Sequence, residues 1–423
     1  MNSLSVCVVG LGRIGLPLAA QCASKGMRVT GADIDAALVG KVNAGTCPYP
    51  DEGGLADAMA TAHAAGLLTA TTDTAAAVRQ SNVVVIVIPV GLTAEKRADF
   101  TALDAAARAV AKGLQPQALV VLETTVPLGT TRRRLGAALE ASGRRLGSDL
   151  FLAYSPERVF VGRVLTDLRH YPKVVGGVDD ESARRAGAFY EKALDAPVMR
   201  LGSCEAAELV KLAETAYRDV NIALANEFAR VADEHGVDIA EVIAAANSQP
   251  FSHIHQPGVG VGGHCIPVYP RFLLEEAKAR LPEAAREIND GMAAYAVDKL
   301  AEALGGLKEK TVLILGLSYR PDVKESAFSS AFLLAGELTA RGARVIVHDP
   351  LFSGDELRAL ALEPAEPFPP PHADAVIVQA LHEAYREIDF RAFPGCRVVL
   401  DGRDALSREK IEALGIRYLG IGR

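Results

Sequence analysis

Cys265 stands near the end of the segment Pro257-Gly258-Val259-Gly260-Val261-Gly262-Gly263-His264-Cys265-Ile266-Pro267. Four glycines just upstream make a stretch of backbone with few side chains, suited to lying along a ligand and presenting a thiol to it. A thiol so presented is a nucleophile. The same residues also read as a loop around a buried, inert cysteine, since free cysteine is usually a small core hydrophobe. A metal is not expected: His253, His255, His264 and Cys265 match no common zinc spacing, and no carboxylate stands at ligand spacing.

A second constellation opens the chain. The apolar run Ser5 to Val9 leads into Gly10-Leu11-Gly12-Arg13-Ile14-Gly15, helix-prone sequence follows to Lys25, and Asp33 ends the next strand-like stretch 23 residues after Gly10. Strand, glycine turn, helix, strand and acid together form a dinucleotide fingerprint. Gly10 permits the tight turn, Gly12 lets a pyrophosphate approach the backbone, Gly15 allows close helix packing, and the helix N-terminus supplies amide donors. Asp33 would accept hydrogen bonds from a ribose diol and repel a 2'-phosphate, which favours NAD over NADP. The competing reading is a plain glycine turn beside a surface aspartate.

The third constellation lies on a run from Ser203 to His235 with almost no Gly or Pro, which predicts one helix of about 30 residues, about 45 Å long. Lys211, Thr215 and Arg218 recur there at helical steps and share a face. Asn221, Asn226 and Glu227 interrupt an otherwise apolar stretch and must find partners. A ligand, an interdomain contact and a dimer contact account for them equally well.

The elements that position these groups repeat. Further strands are expected at Asn82 to Pro89, Ala118 to Thr125 and Leu150 to Tyr154, separated by Ala-rich helices, so the first half is a parallel sheet covered on both faces. After Leu307 the pattern begins again with strands at Thr311 to Leu317 and Ala343 to His348. A loop with Pro364, Pro367, Pro369, Pro370 and Pro371 precedes strands at Asp374 to Gln379 and Arg397 to Asp401. The second half lacks a full G-x-G-x-x-G and is expected to bind something else. The fold class is therefore α/β, with two Rossmann-like, doubly wound parallel-sheet domains joined by a long central helix.

Composition narrows the function. With 423 residues the chain should hold two or three domains. A hydrophobic fraction of 49% and a charged fraction of 23% are those of soluble globular proteins, and a net charge of -7 disfavours nucleic acid. No run approaches 18 apolar residues and no signal core opens the chain, so no membrane partner and a cytoplasmic location are expected. Six scattered cysteines with no C-x-x-C pair read as reduced thiols.

Beyond these constellations the chain carries Glu123-Thr124-Thr125-Val126-Pro127-Leu128-Gly129-Thr130, Ser155-Pro156-Glu157-Arg158-Val159, Gly316-Leu317-Ser318-Tyr319-Arg320-Pro321 and Asp401-Gly402-Arg403. In this order, with the glycine turn and the Gly-Gly-His-Cys loop, they resemble the UDP-glucose/GDP-mannose dehydrogenase family over nearly the whole chain. Glu-Arg-Val after Pro156 and His264 before Cys265 look like its UDP-N-acetylmannosamine and UDP-N-acetylglucosamine 6-dehydrogenase branch. The UDP-glucose branch usually carries Glu-Phe-Leu and Ser-Cys there.

The resemblance implies a four-electron oxidation of a sugar C6 alcohol to the uronate, with NAD as acceptor and a thiohemiacetal and thioester on Cys265. It implies Lys211 at the oxyanion, Glu157 as base for thioester hydrolysis, Thr125 positioning water and Thr215 as a hydroxyl donor. NAD contacts would come from Gly10, Gly12, Arg13, Ile14, Gly15, Asp33, Pro89, Thr125 and Gly263. The UDP-sugar would be held by Glu157, Arg158, Val159, Lys211, Arg218, Asn221, Gly258, Gly260, Gly262, Arg320 and Arg403, guanidinium forks suiting its phosphates. Three positions depart from the family pattern: Thr215 replaces the usual Asn, Tyr269 the usual Asp four after the cysteine, and Ala327 an Arg. Thr215 and Tyr269 leave open a catalytically impaired nucleotide-sugar-binding homologue, and UDP-glucose is kept as an alternative substrate.

Three parts are expected: an NAD-binding domain over 1–200, a central helical domain for dimerisation and the active site over 201–305, and a UDP-sugar-binding domain over 306–423. A homodimer through the central helix is expected from the helix's length and apolar content and from the resemblance. Uronates of this kind generally feed surface polysaccharide synthesis.

Overall fold

The computed structural model describes residues 4–423. The chain divides into two compact units: one runs to Glu214 and includes Glu275–Ala277, the other holds Thr215–Leu274 and Lys278–Arg423.

The first unit is built on β1 (Ser5–Val9), β2 (Arg28–Ala32), β3 (Leu68–Thr71), β4 (Val83–Ile86), β7 (Ala118–Leu122), β8 (Leu150–Tyr154), β9 (Lys173–Gly177) and β10 (Val198–Leu201). A two-residue ribbon, β5 (Gly91–Leu92) with β6 (Ala98–Asp99), stands apart. The eight strands lie in the order β10-β9-β8-β7-β4-β1-β2-β3. Every residue of β1, β4, β7 and β8 is buried, as expected of near-continuous apolar strands covered by helices on both faces.

The sheet is not wholly parallel. β9 runs antiparallel to β8, with Ala153 opposite Gly177. Much of the connection between them is the Ser-Pro-Glu-Arg loop. It leaves only the helix Val164–His170, about 10 Å long at 1.5 Å per residue, to carry the chain back. β3, β9, β10 and a last strand of the second unit go beyond the strands expected from sequence, whereas β1, β2, β4, β7 and β8 stand where expected to within a few residues.

The second unit holds β11 (Thr311–Leu315), β12 (Arg344–His348), β13 (Ala375–Val378), β14 (Val398–Asp401) and β15 (Arg417–Gly420), all parallel, in the order β12-β11-β13-β14-β15. The helices Arg280–Leu304 and Ser330–Ala340 help cover it, through Met292, Val297, Leu300, Leu334 and Leu338 in one apolar core.

Both sheets begin with the same turn. Gly10, at φ +95°, donates to the Ala32 carbonyl at 2.8 Å, and the next amide, Leu11, donates to Asp33 Oδ2 at 2.7 Å. Gly316, at φ +94°, donates to the His348 carbonyl at 2.8 Å, and Leu317 donates to Asp349 Oδ2 at 2.8 Å. Both glycines occupy the left-handed region that other residues adopt only under strain. In each sheet the acid ending the second strand braces the turn leaving the first.

The long helix spans Cys204–His235, 32 residues, close to the expected range. Along the part in the second unit, Tyr217, Leu224, Phe228 and Val231 recur at steps of seven, four and three and are 57%, 44%, 39% and 48% exposed. At 100° per residue they form one apolar stripe.

Candidate active site

In the first unit the glycine turn fits a dinucleotide. A Cβ on Gly15 would run into the Gly10 carbonyl, so only glycine lets the helix Gly15–Ser24 start this close to β1. Gly12 is exposed, and a Cβ there would meet nothing within 4 Å, which leaves its backbone open to a pyrophosphate. Asp33 Oδ2 is engaged by Leu11, and Oδ1 accepts from the Asp35 amide at 3.0 Å. A carboxylate has about four acceptor sites, so capacity is left for a ribose diol. Ile14 is half-buried against the core. Arg13 is exposed and paired with Asp51 at 2.6 Å, and Pro89 is exposed at the end of the β4 segment.

Thr125 is 5% exposed just beyond β7. Its neighbour Thr124 donates to the Ile88 carbonyl at 2.6 Å, tying the ends of the β4 and β7 segments together. The loop that follows is held by Glu208 of the long helix, which accepts from the amides of Gly129 at 2.5 Å and Thr131 at 2.8 Å. Burial pushes this carboxyl upward, against the pull of those donors. Below the loop, Glu123 is fully buried, hydrogen-bonded by the Tyr190 hydroxyl and 3.1 Å from Lys173 Nζ.

Lys211, one turn beyond Glu208, donates to the main-chain carbonyl of Glu157 at 2.5 Å. Glu157 Oε1 accepts from the amides of Arg158 at 2.6 Å and Val159 at 2.8 Å, while Oε2 is buried with no hydrogen-bond partner. The structure thus brings Lys211 and Glu157 together and leaves one carboxylate oxygen with its acceptor capacity unused. Arg158 pairs with Glu214 at 2.7 Å and donates to the Pro172 carbonyl at 3.1 Å, while its Nε is buried without a partner. Val159 is half-buried and packs against the core.

In the second unit Cys265 is exposed, and among the described residues it is the only exposed cysteine. That removes the buried, inert reading. The backbone leading to it is pinned at four points: Gly258 N to Asn226 Oδ1 at 2.9 Å, Val259 N to the Gly402 carbonyl at 3.2 Å, Arg403 Nη1 to the Gly260 carbonyl at 2.9 Å, and Gly263 N to the Ala327 carbonyl at 2.9 Å. A Cβ on Gly262 would fall 2.7 Å from Tyr319 Cβ, and one on Gly263 3.0 Å from the Tyr319 ring. These two glycines are needed because the Tyr319 side chain packs directly against the loop. Burial pushes the Tyr319 hydroxyl upward, Arg320 opposing, so it stays protonated at neutral pH.

Arg403 also donates to the Gln379 carbonyl at 2.7 Å and Ser330 Oγ at 3.0 Å, so three of its five N–H groups are engaged, two anchoring the guanidinium and one bracing the loop. Burial pulls it down to about 10, Asp401 opposing, and it remains charged at neutral pH. Arg320 Nε is buried without a partner, as expected of a guanidinium that awaits an anion. Asn221 donates to the His253 carbonyl at 2.7 Å and accepts from the His255 amide at 2.9 Å, fixing a neighbouring loop. Thr215 is buried, Arg218 exposed and Tyr269 half-buried at the start of the helix Tyr269–Glu276. Glu208, Asn226, Ser330 and Tyr319 were not among the expected site residues. Two of them carried a sequence signal: Asn226 as a polar residue in an apolar stretch, and Tyr319 by its place beside Arg320.

The NAD-binding domain of the UDP-glucose/GDP-mannose dehydrogenase family matches residues 4–194, the family's central domain residues 205–291, and its UDP-binding domain residues 313–408. The UDP-N-acetyl-D-mannosamine dehydrogenase of Pyrococcus horikoshii is 33% identical over 99% of both chains. The chain belongs to the UDP-glucose/GDP-mannose dehydrogenase family. It is an NAD-dependent nucleotide-sugar dehydrogenase. The NDP-N-acetyl-D-galactosaminuronic acid dehydrogenase of Ralstonia solanacearum is 34% identical over 97% of this chain and 98% of its own. A solved structure of the Pyrococcus horikoshii UDP-D-ManNAc dehydrogenase superposes with a TM-score of 0.88 at 32% identity, over 99% of each chain. Among the described residues no helix is long and apolar enough to cross a membrane.

Proposed function

We propose that this dehydrogenase oxidises the C6 alcohol of a UDP-N-acetylhexosamine to the uronate in two steps, through a thiohemiacetal and a thioester on Cys265. The observation that carries the reading is the exposed Cys265 at the end of a backbone pinned at four points. His264 and Glu-Arg-Val at 157–159, and the names of the relatives above, support the N-acetylhexosamine class. Those names add a galacto sugar to the manno and gluco epimers expected from sequence.

NAD, held by Gly10, Gly12, Arg13, Ile14, Gly15, Asp33, Pro89, Thr125 and Gly263, supplies the hydride acceptor for both oxidations. Each turnover converts one alcohol, one water and two NAD to one carboxylate, two NADH and three protons. The protein's own groups do the rest. The Cys265 thiolate adds to the C6 aldehyde carbon, forming the C–S bond, and the Lys211 ammonium stabilises the charge on the carbonyl oxygen. After the second oxidation Glu157 takes a proton from the water that displaces the thiol, with Thr125 positioning that water and Thr215 donating a hydroxyl. The unpartnered Oε2 of Glu157 is the atom suited to that proton. Arg320 and Arg403 face the pyrophosphate chemistry, and Arg158, Val159, Arg218, Asn221, Gly258, Gly260 and Gly262 complete the sugar-nucleotide contacts.

The division of labour we assign is NAD binding over 1–200, dimerisation and catalysis over 201–305, and UDP-sugar binding over 306–423. The apolar stripe Tyr217, Leu224, Phe228 and Val231 supports a homodimer through the long helix. A cytoplasmic setting suits a reaction that needs a free thiol.

The test is absorbance at 340 nm with NAD and, in turn, UDP-N-acetylmannosamine, UDP-N-acetylglucosamine, UDP-N-acetylgalactosamine and UDP-glucose. Two NADH per sugar, lost in Cys265→Ser, is the expected result. Full turnover by Cys265→Ser would overturn the thioester route. Thr215 and Tyr269 favour a second reading, a nucleotide-sugar-binding protein with impaired catalysis. UDP-sugar binding without NADH from any of the four would establish it.

A further inference from the structure

The first pin of the Cys265 loop is the end of a longer chain of buried polar groups. On the helix Arg280–Leu304, Arg286 donates through Nε to Asp219 Oδ2 at 2.6 Å and through Nη2 to Asp219 Oδ1. Asn289, one turn further, donates to Asp219 Oδ1 at 2.7 Å and to the Asp219 carbonyl at 3.0 Å. Asn289 Oδ1 accepts from Asn226 Nδ2 at 2.8 Å, and Asn226 Oδ1 accepts from the Gly258 amide at 2.9 Å. All four side chains are buried.

The direction of this chain is set at both ends. A main-chain amide can only donate, so the Asn226 oxygen must face Gly258 and its NH2 must face Asn289. At the other end a carboxylate held by a guanidinium can only accept, so the Asn289 NH2 must face Asp219. Flipping either amide would set donor against donor or acceptor against acceptor among buried side chains, where an unmade bond is costly. The network therefore admits one arrangement.

We propose that Asn226 is a positioning residue: it fixes the first amide of the glycine loop and so the path along which Cys265 is presented, with Asn289 and the Asp219–Arg286 pair holding Asn226 in the one orientation that does this. The proposal rests on the assignment of Cys265 to the reaction, but its structural part does not need turnover. A hydrogen-bonded amide reached through a buried relay defines position more narrowly than apolar packing would, because only one rotamer satisfies it.

A truncation and an isosteric change test this in the whole chain. Asn226→Ala removes the acceptor. Asn226→Asp keeps the shape, but when ionised presents an oxygen to Asn289 Oδ1. When protonated, its hydroxyl donates to Asn289 while its carbonyl accepts from Gly258. In Asn226→Ala, amide hydrogen exchange over residues 256–264 is expected to rise at least tenfold and kcat/KM for the UDP-sugar to fall at least tenfold, with KM for NAD within twofold. In Asn226→Asp, activity relative to the parent should be near one at acid pH and fall as pH rises. A lower melting temperature in both variants, with parental exchange over 256–264 and a flat activity ratio, would mean that the network only stabilises the fold and would overturn the proposal. If Asn226→Ala does not fold, the pH series of Asn226→Asp carries the test alone. If the parent yields no NADH, the exchange readout and the rate of Cys265 alkylation by iodoacetamide still decide the positioning role, so its failure and that of the Cys265 assignment are separable.

Discussion

His382 Nε2 lies 3.0 Å from Asp349 Oδ2, with both side chains buried. His382 Nδ1 accepts from the Asp322 amide at 2.9 Å, so Nε2 carries the proton and donates to the carboxylate. Burial pushes the Asp349 carboxyl up, but His382 and the amides of Ser318 and Leu351 outweigh it and hold the group at about 2, below its ordinary 3.8. Because the folded value is depressed, this stabilisation is complete above about pH 4 and is lost as pH falls toward 2. At ~1.4 kcal/mol per pH unit it amounts to roughly 2–3 kcal/mol. Asp349→Asn should be destabilised by about that much at pH 7 in urea unfolding, and the gap should narrow steadily below pH 4. A gap independent of pH would show that the charge is not what matters.

Asp33 should decide the choice of nicotinamide cofactor. Asp33→Asn keeps an acceptor for the Leu11 amide, now at 2.7 Å, and removes the negative charge. Hydrogen bonds to charged groups contribute about 1.5–3 kcal/mol, so KM for NAD is expected to rise roughly tenfold to a hundredfold. The discrimination against NADP should shrink. Equal kinetics with NAD before and after the change would remove Asp33 from the cofactor site.

The Glu123–Lys173 pair lies beneath the strand end that carries Thr125. Removing one partner of a buried pair typically costs ~3–5 kcal/mol because the other charge is left without compensation. Lys173→Met is expected to lose stability in that range, and the double change Glu123→Gln with Lys173→Met to recover much of it. A double-mutant cycle in denaturant measures the coupling. If the two losses simply add, the pair is not coupled.

The stripe on the long helix predicts the oligomeric state. The parent should scatter light as a dimer at micromolar concentration. Leu224→Asp combined with Phe228→Asp should give a monomer with an unchanged far-ultraviolet spectrum. A dimer that survives both changes would place the interface elsewhere.

What could be seen in the sequence was what is local in the chain. The glycine turn, Asp33, the long helix and the Gly-rich approach to Cys265 each show in a window of a few dozen residues, and all stand where expected. The short strands Leu68–Thr71 and Lys173–Gly177 did not show, because four alternating residues are too few to stand out and Lys173–Gly177 begins with a charge and ends in paired glycines. The antiparallel entry of β9 depends on how little chain the Ser-Pro-Glu-Arg loop leaves for the return, which no pattern of apolar residues encodes. Arg403 was legible as a cation but not as a brace, since Gly260 and Ser330 lie 143 and 73 residues away. Asn226 was recognised as a polar residue in need of a partner. That its partners would be Asn289 and the Gly258 amide could only come from the packed structure.

The two matching turns place a controlled comparison inside one molecule. Gly10 with Asp33 and Gly316 with Asp349 share geometry to within about 0.1 Å and one degree. Asp33, however, stays half-exposed, whereas Asp349 is sealed by an imidazole. The second sheet has committed its acid to cohesion. The first withholds the same acid from cohesion so that a ligand can complete it. An unliganded chain should therefore open first at its Asp33 turn, and NAD should protect that turn against proteolysis while leaving the Asp349 turn as resistant as before.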